Sequence, residues 1–99
     1  MKIDFKQTMK TLDGEDLKAE DKRTVITLQQ VATQALLNMS EKDPDAQNGE
    51  QKAKRYELAM KIFNDTEELS IDEAKLLKDL IGRYFNPIVV GQAWKMLES

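Results

Sequence analysis

Leu69-Ser70-Ile71-Asp72-Glu73-Ala74-Lys75-Leu76-Leu77-Lys78-Asp79-Leu80-Ile81-Gly82-Arg83-Tyr84-Phe85-Asn86-Pro87-Ile88-Val89-Val90-Gly91-Gln92-Ala93-Trp94 decides the fold. Ser70 followed three residues later by Glu73 is a capping box, in which each side chain reaches back to satisfy the other's backbone N–H. Asp72 adds negative charge where the helix macrodipole favours it. Leu69, just outside the cap, is placed to staple onto Ala74. Ala74, Leu77, Leu80, Ile81 and Tyr84 then recur at helical spacing, so the stretch predicts a helix over 71–83. A second helix over 87–98 follows without a loop. Asn86 is its N-cap and Pro87 sits at N1, where the missing N–H costs nothing and φ is already helical. Val89, Val90, Ala93, Trp94 and Leu97 line one side.

Upstream, Thr27 and Gln30 form another capping box, and Leu28, Val31, Ala32, Ala35, Leu36 and Met39 give a helix over 27–39. Pro44 and Gly49 punctuate the polar loop that follows. A helix over 49–64 comes next. Its apolar face reads as Ala53, Tyr56, Ala59, Met60 and Phe63, widened by Ile62. Glu50, Lys52, Lys54, Arg55, Glu57 and Lys61 fill the opposite, solvated side. Residues 1–25 are different: Ile3 and Phe5 alternate with charge, and Asp13-Gly14 is a turn dipeptide. That pattern fits either a short hairpin across 2–18 or an irregular arm with a turn. The expected fold is mainly α, a compact bundle of about four helices with a small N-terminal β-hairpin or extended arm, forming one domain over 1–99.

Composition removes much chemistry. The chain has 99 residues, no Cys and no His. Thiol nucleophiles, disulfides, Cys metal sites and imidazole acid–base catalysis are absent. The net charge of −3 and pI near 5.0 argue against a dedicated nucleic-acid binder. No apolar run approaches a bilayer span and the first residues lack a secretory pattern, so an intracellular protein is expected. Asp43 to Lys54 resembles a calcium loop only faintly. Its sixth position is Asn48 instead of Gly and its twelfth is Lys54 instead of Glu, so a solvated loop without metal is expected. No phosphate-binding Gly-rich loop and no nucleophile elbow occurs. No enzyme activity and no cofactor are expected.

What remains is surface. Residues 13–21 carry five acidic side chains, including Asp13, Glu15 and Asp16, with Lys18 among them. They form either a solvated turn or a docking point for a basic partner. Ile88, Val89 and Val90 point in three directions from one helix. Either that helix is surrounded on all sides or part of it faces a partner, with Phe85, Ile88 and Trp94 as anchors. Gly91 is read as a place where another helix comes close. As a DNA-reading helix it fails, because Pro87 to Gly91 offers no group that reads a base edge. The basic stretch Lys52, Lys54, Arg55 and Lys61 is the alternative, a nucleic-acid surface, weakened because Tyr56 and Phe63 are spaced for the core.

Several runs also resemble one another's counterparts in a known group. Leu12-Asp13-Gly14, Thr27-Leu28, Ala35-Leu36-Leu37, Lys54 through Asn64, Leu76-Leu77-Lys78 and Pro87 through Trp94 together resemble small proteins of about this length encoded in bacteriophage and prophage genomes. The resemblance implies an accessory protein in the cytoplasm of a bacterial host and brings no catalytic residues or cofactor. Combined with the residue reading, the expected function is protein–protein interaction, with a host or phage protein or as a homo-oligomer.

Overall fold

Four helices form where caps and periodicity place them. The computed structural model describes residues 2–18, 23–39, 42–64 and 68–98. The helices are α1 (Leu28–Leu37), α2 (Gly49–Phe63), α3 (Ile71–Tyr84) and α4 (Pro87–Glu98). Both capping boxes are present in full. Gln30 N–H donates to Thr27 Oγ1 and Thr27 N–H to Gln30 Oε1, each at 3.3 Å. Glu73 N–H donates to Ser70 Oγ at 3.1 Å and Ser70 N–H to Glu73 Oε1 at 2.8 Å. Asn48 caps α2 by accepting from Gln51 N–H at 3.1 Å, and Asn86 accepts from Val89 N–H at 3.3 Å. α1 stops two residues before the expected end, since Asn38 is already extended.

α1 packs on both α2 and α3, and α4 packs on α3. The core is built from Leu28, Val31, Ala35 and Leu36 of α1, Leu77, Leu80 and Ile81 of α3, and Val89, Ala93 and Leu97 of α4. α4 therefore buries a single stripe at i, i+4 and i+8 and is not surrounded. Ile88, Val90 and Met96 pack at its edges, partly buried. A Cβ at Gly91 would meet nothing within 4 Å, so no helix approaches there. The close approach is at Gly82 instead, where a Cβ would stand 3.3 Å from the Trp94 ring. No helix among the described residues is long and apolar enough to cross a membrane.

The N-terminal segment is an arm and not a regular hairpin. Its β pairings are isolated bridges: Lys2 with Glu68, Thr8 with Thr27, Lys10 with Asp16 and Lys18 with Val25. Asp13-Gly14 does turn the chain, with Gly14 at φ 89°, a conformation open to glycine without steric cost. Two-stranded pairing does not extend because residue 9 is shared. Met9 N–H donates to Ile26 O while Met9 O accepts from Leu17 N–H. Ile3, Phe5 and Met9 are buried and pin the arm to the core. Gln92 of α4 grips it as well, accepting from Lys10 N–H and donating to Lys10 O, both at 2.6 Å.

α2 is rotated from the face its apolar residues suggest. Arg55, Leu58, Ala59 and Ile62 point inward. Tyr56, Met60 and Phe63 are 57%, 41% and 65% exposed, and Ala53 is exposed too. The outward face carries the larger apolar side chains, and a binary apolar/polar reading scores Arg55 as solvated. Ile62→Ala is expected to cost about 3 kcal/mol, and Phe63→Ala to stay within about 0.5 kcal/mol of the parent, measured by denaturant unfolding.

Candidate functional site

Arg55 is buried, 1% exposed. The end of a helix leaves carbonyls without intrahelical partners and concentrates the negative end of the macrodipole there. α1 has no basic residue in its own last turn. Arg55 supplies the cation from the neighbouring helix. Its Nε donates to Leu36 O at 3.0 Å, and Nη2 donates to Ala35 O and Asn38 O, each at 3.2 Å. Nη1 donates to Asp43 Oδ2 at 3.2 Å. The planar guanidinium is suited to this, since its donors point outward in a fixed fork.

Asp43 completes the node. Its side chain is fully buried, which corrects the solvated-loop reading at that position, while residues 44–50 are exposed or half-buried. Tyr84 of α3 donates its hydroxyl to Asp43 Oδ2, Asp45 N–H donates to Oδ1 at 2.9 Å, and Arg83 Nη1 lies 3.6 Å from Oδ1. The Tyr84 hydroxyl, with the Asp45 amide and Arg55, holds the carboxyl at about 2 against the opposing effect of burial. At neutral pH the group is an ionised carboxylate with both oxygens engaged. It accepts three hydrogen bonds, two at Oδ2 and one at Oδ1. The node ties α1, α2, α3 and the 42–48 loop together and is structural. No buried side-chain polar atom among the described residues lacks a partner.

The node has a consequence on the other side of α2. With Arg55 inside, Tyr56, Met60 and Phe63 form an outward stripe at i, i+4 and i+7. α1 runs antiparallel beside it. Gln29 Nε2 donates to the carbonyls of Ile62 and Phe63 at 3.2 and 3.1 Å, and at the other end Leu37, Met39, Lys52 and Tyr56 line one surface depression. Leu37 is 58% exposed. Leu37 and Tyr56 meet in that depression, and Met60 and Phe63 continue the exposed apolar stripe along α2. Lys52 and Glu57 flank it on its two sides, while Lys54 and Lys61 lie further round the helix in a depression against α3, where Lys61 Nζ is held by Glu73 at 3.2 Å.

The residues singled out from the sequence lie in three separate places. Phe85 is half-buried and lines a cavity with Leu17, Ile26, Val31 and Val89. Ile88 is half-buried beside Thr11 and Leu12 of the arm turn. Trp94 is 39% exposed but engaged. Its indole N–H donates to Lys78 O at 3.0 Å, the Lys78 ammonium stands 4.9 Å from the ring centroid, and the ring rests on Gly82. Asp13, Glu15 and Asp16 are exposed on the turn. Asp13 accepts from Thr11 Oγ1. Asp16 accepts from Lys10, which lowers its carboxyl pKa, and from Thr8 at 3.3 Å. Glu20 and Asp21 lie outside the described residues. Among the described residues no group of three acidic side chains converges to hold a metal. Comparison with known proteins found no matching family, no matching curated protein and no matching solved structure.

Asp43→Asn is expected to cost about 3–5 kcal/mol at neutral pH, because it strands the buried Arg55 charge. The sign with pH follows from the depressed carboxyl. Its ordinary value is 3.8 and its folded value about 2, so its contribution is complete above the ordinary value and is lost as pH falls through the folded one. Unfolding midpoints of parent and variant, measured from pH 7 to pH 2, are expected to converge as the pH drops.

Proposed function

We propose that this protein works without catalysis, by binding a macromolecular partner on the outward stripe of α2. The observation that carries the reading is the exposure of Tyr56, Met60 and Phe63 on one helix, with Leu37 beside them. Scattered exposed apolar residues need no explanation, but a contiguous stripe with two aromatic rings has the composition of an interface centre. The rim of charged residues around it fits the same anatomy. The surface lies on α2 and not at Phe85, Ile88 and Trp94 of the α3–α4 end, whose side chains are occupied within the chain. The setting we propose is the bacterial cytoplasm, in the role of a phage-type accessory protein, on the strength of the sequence resemblance.

Protein is the favoured partner. One observation favours a second reading: Tyr56 is exposed beside Lys52, and bases stack on such rings next to positive charge. Against it, Arg55 is withdrawn into the interior, Glu57 flanks the stripe, and the chain is acidic. Single-stranded nucleic acid would have to bind with an affinity that falls steeply with salt.

The two variants Tyr56→Ser and Phe63→Ser test the interaction reading. Both are expected to fold with the parent's helix content while losing whatever the parent retains, either another copy in light scattering or a protein captured from bacterial lysate. Retention that survives both substitutions, or a parent that binds neither itself nor any other protein, would overturn it.

A further inference from the structure

We propose that Asn48-Gly49 is a self-modifying site, at which the chain converts its own side-chain amide to an aspartyl or isoaspartyl linkage, with the first turn of α2 as the brake on that reaction. The site is separate from the outward stripe of α2 and does not depend on what binds there.

The reacting groups lie within one dipeptide. The backbone nitrogen of Gly49, once it gives its proton to a base in solvent, attacks Cγ of Asn48. The N–Cγ bond forms, the Cγ–Nδ2 bond breaks, and the amide nitrogen takes up a proton and leaves as ammonia. The product is a five-membered succinimide, which water opens. Breaking its N–Cγ bond leaves aspartate at 48. Breaking the bond from that nitrogen to the backbone carbonyl carbon leaves isoaspartate, with the main chain running through Cβ. Glycine favours the attack because no side chain shields its nitrogen. The other three asparagines are followed by Met39, Asp65 and Pro87. The first two carry side chains, and proline has no N–H to lose. Asp13-Gly14 is a weaker candidate. Gly14 N–H is bound to Thr11 O at 3.0 Å, and a carboxylate is a poor electrophile.

Asn48 and Gly49 are exposed, so water and base reach both. Gly49 N–H is the first of α2, where no intrahelical acceptor exists. The cap is what restrains the pair. Asn48 Oδ1 accepts from Gln51 N–H at 3.1 Å, and Asn48 O accepts from Lys52 N–H at 3.0 Å. Ring closure needs the Gly49 nitrogen eclipsed with Cβ about the Cα–C bond. At the Asn48 ψ of 100° that nitrogen stands on the far side of the bond. Turning it round swings Asn48 O away from Lys52 and opens the first turn. The reaction therefore runs from the frayed helix end, at a rate set by how often that end opens.

The two products act differently on the fold. Aspartate caps a helix as well as asparagine does, and its charge suits the N-terminus. Isoaspartate puts an extra atom into the main chain between cap and helix, so the cap and the bond to Lys52 cannot both keep register. Asn48 N–H also donates to Asp45 O at 2.9 Å. The same junction thus anchors the 42–48 loop that carries Asp43 to Arg55, and isoaspartate at 48 loosens that buried node from outside.

Ageing the full chain in mildly alkaline buffer and mapping its tryptic peptides tests the site. Cleavage after Lys42 and Lys52 separates Asn48 from the other asparagines. The mass gain of amide-to-acid exchange is expected there first, with aspartyl and isoaspartyl forms resolved by chromatography. Unfolding the same chain in urea should speed it at least about fivefold, the equivalent of the ~1 kcal/mol that an N-cap holds. Gly49→Ala should slow it severalfold without loss of stability, because a Cβ there meets nothing within 4 Å. Asn48→Asp should melt with the parent, and the isoaspartyl fraction below both. A gain that appears first at Asn38, Asn64 or Asn86 would overturn the site. Equal rates in native buffer and in urea would overturn the brake, and an isoaspartyl fraction that melts with Asn48→Asp would overturn its effect on the node.

Discussion

A guanidinium buried at the carboxyl end of α1 is the constraint on which the rest of this structure depends. Arg55 satisfies carbonyls that α1 leaves open and is neutralised by Asp43, which is itself held by Tyr84. A buried charge is costly unless every donor finds an acceptor and a counter-charge stands within reach. Both conditions are met, and meeting them requires α1, α2, α3 and the 42–48 loop to sit in one arrangement. A pair of this kind adds less net stability than an apolar cluster of equal volume, but it tolerates fewer alternatives. The rotation of α2 about its axis follows directly. With Arg55 inside, the apolar residues on the opposite side must face out.

How much of this was legible in the sequence depends on the range of the interaction. The helix starts were legible because caps are local: Thr27 with Gln30, Ser70 with Glu73 and Asn86 before Pro87 each declare themselves within four residues. The ends and the arm were less so. The Asp13-Gly14 turn formed, yet no regular hairpin did, because Met9 divides its backbone bonds between Leu17 and Ile26. Gly91 was read as the place of a close approach, and the position of the Trp94 ring puts that approach at Gly82 instead.

The face of α2 was not legible from periodicity. Two stripes share Ala59, one running through Tyr56, Met60 and Phe63, the other through Arg55, Leu58 and Ile62. The first looks more apolar. The second wins because Arg55 donates hydrogen bonds to partners 12 to 20 residues away in sequence, none of which a helical wheel displays. The same distance hid Asp43, whose loop is polar enough to pass as solvated. Tyr56, Met60 and Phe63, assigned to the core of α2, are exposed, while Ala59 and Ile62 of the same assignment are buried. Of the anchors sought near α4, Trp94 is engaged with α3, and Phe85 and Ile88 are half-buried against the arm and neighbouring helices.

Arginine side-chain NMR tests the buried guanidinium most directly. The chain has three arginines, Arg23, Arg55 and Arg83, so the Nε–H signals are few and assignable by substitution. Burial of Arg55, with its Nε–H bonded to Leu36 O, predicts one resolved signal that exchanges slowly with water and disappears in Arg55→Lys. An Arg55 signal exchanging as fast as a solvated arginine would contradict it, and with it the outward stripe of Tyr56, Met60 and Phe63.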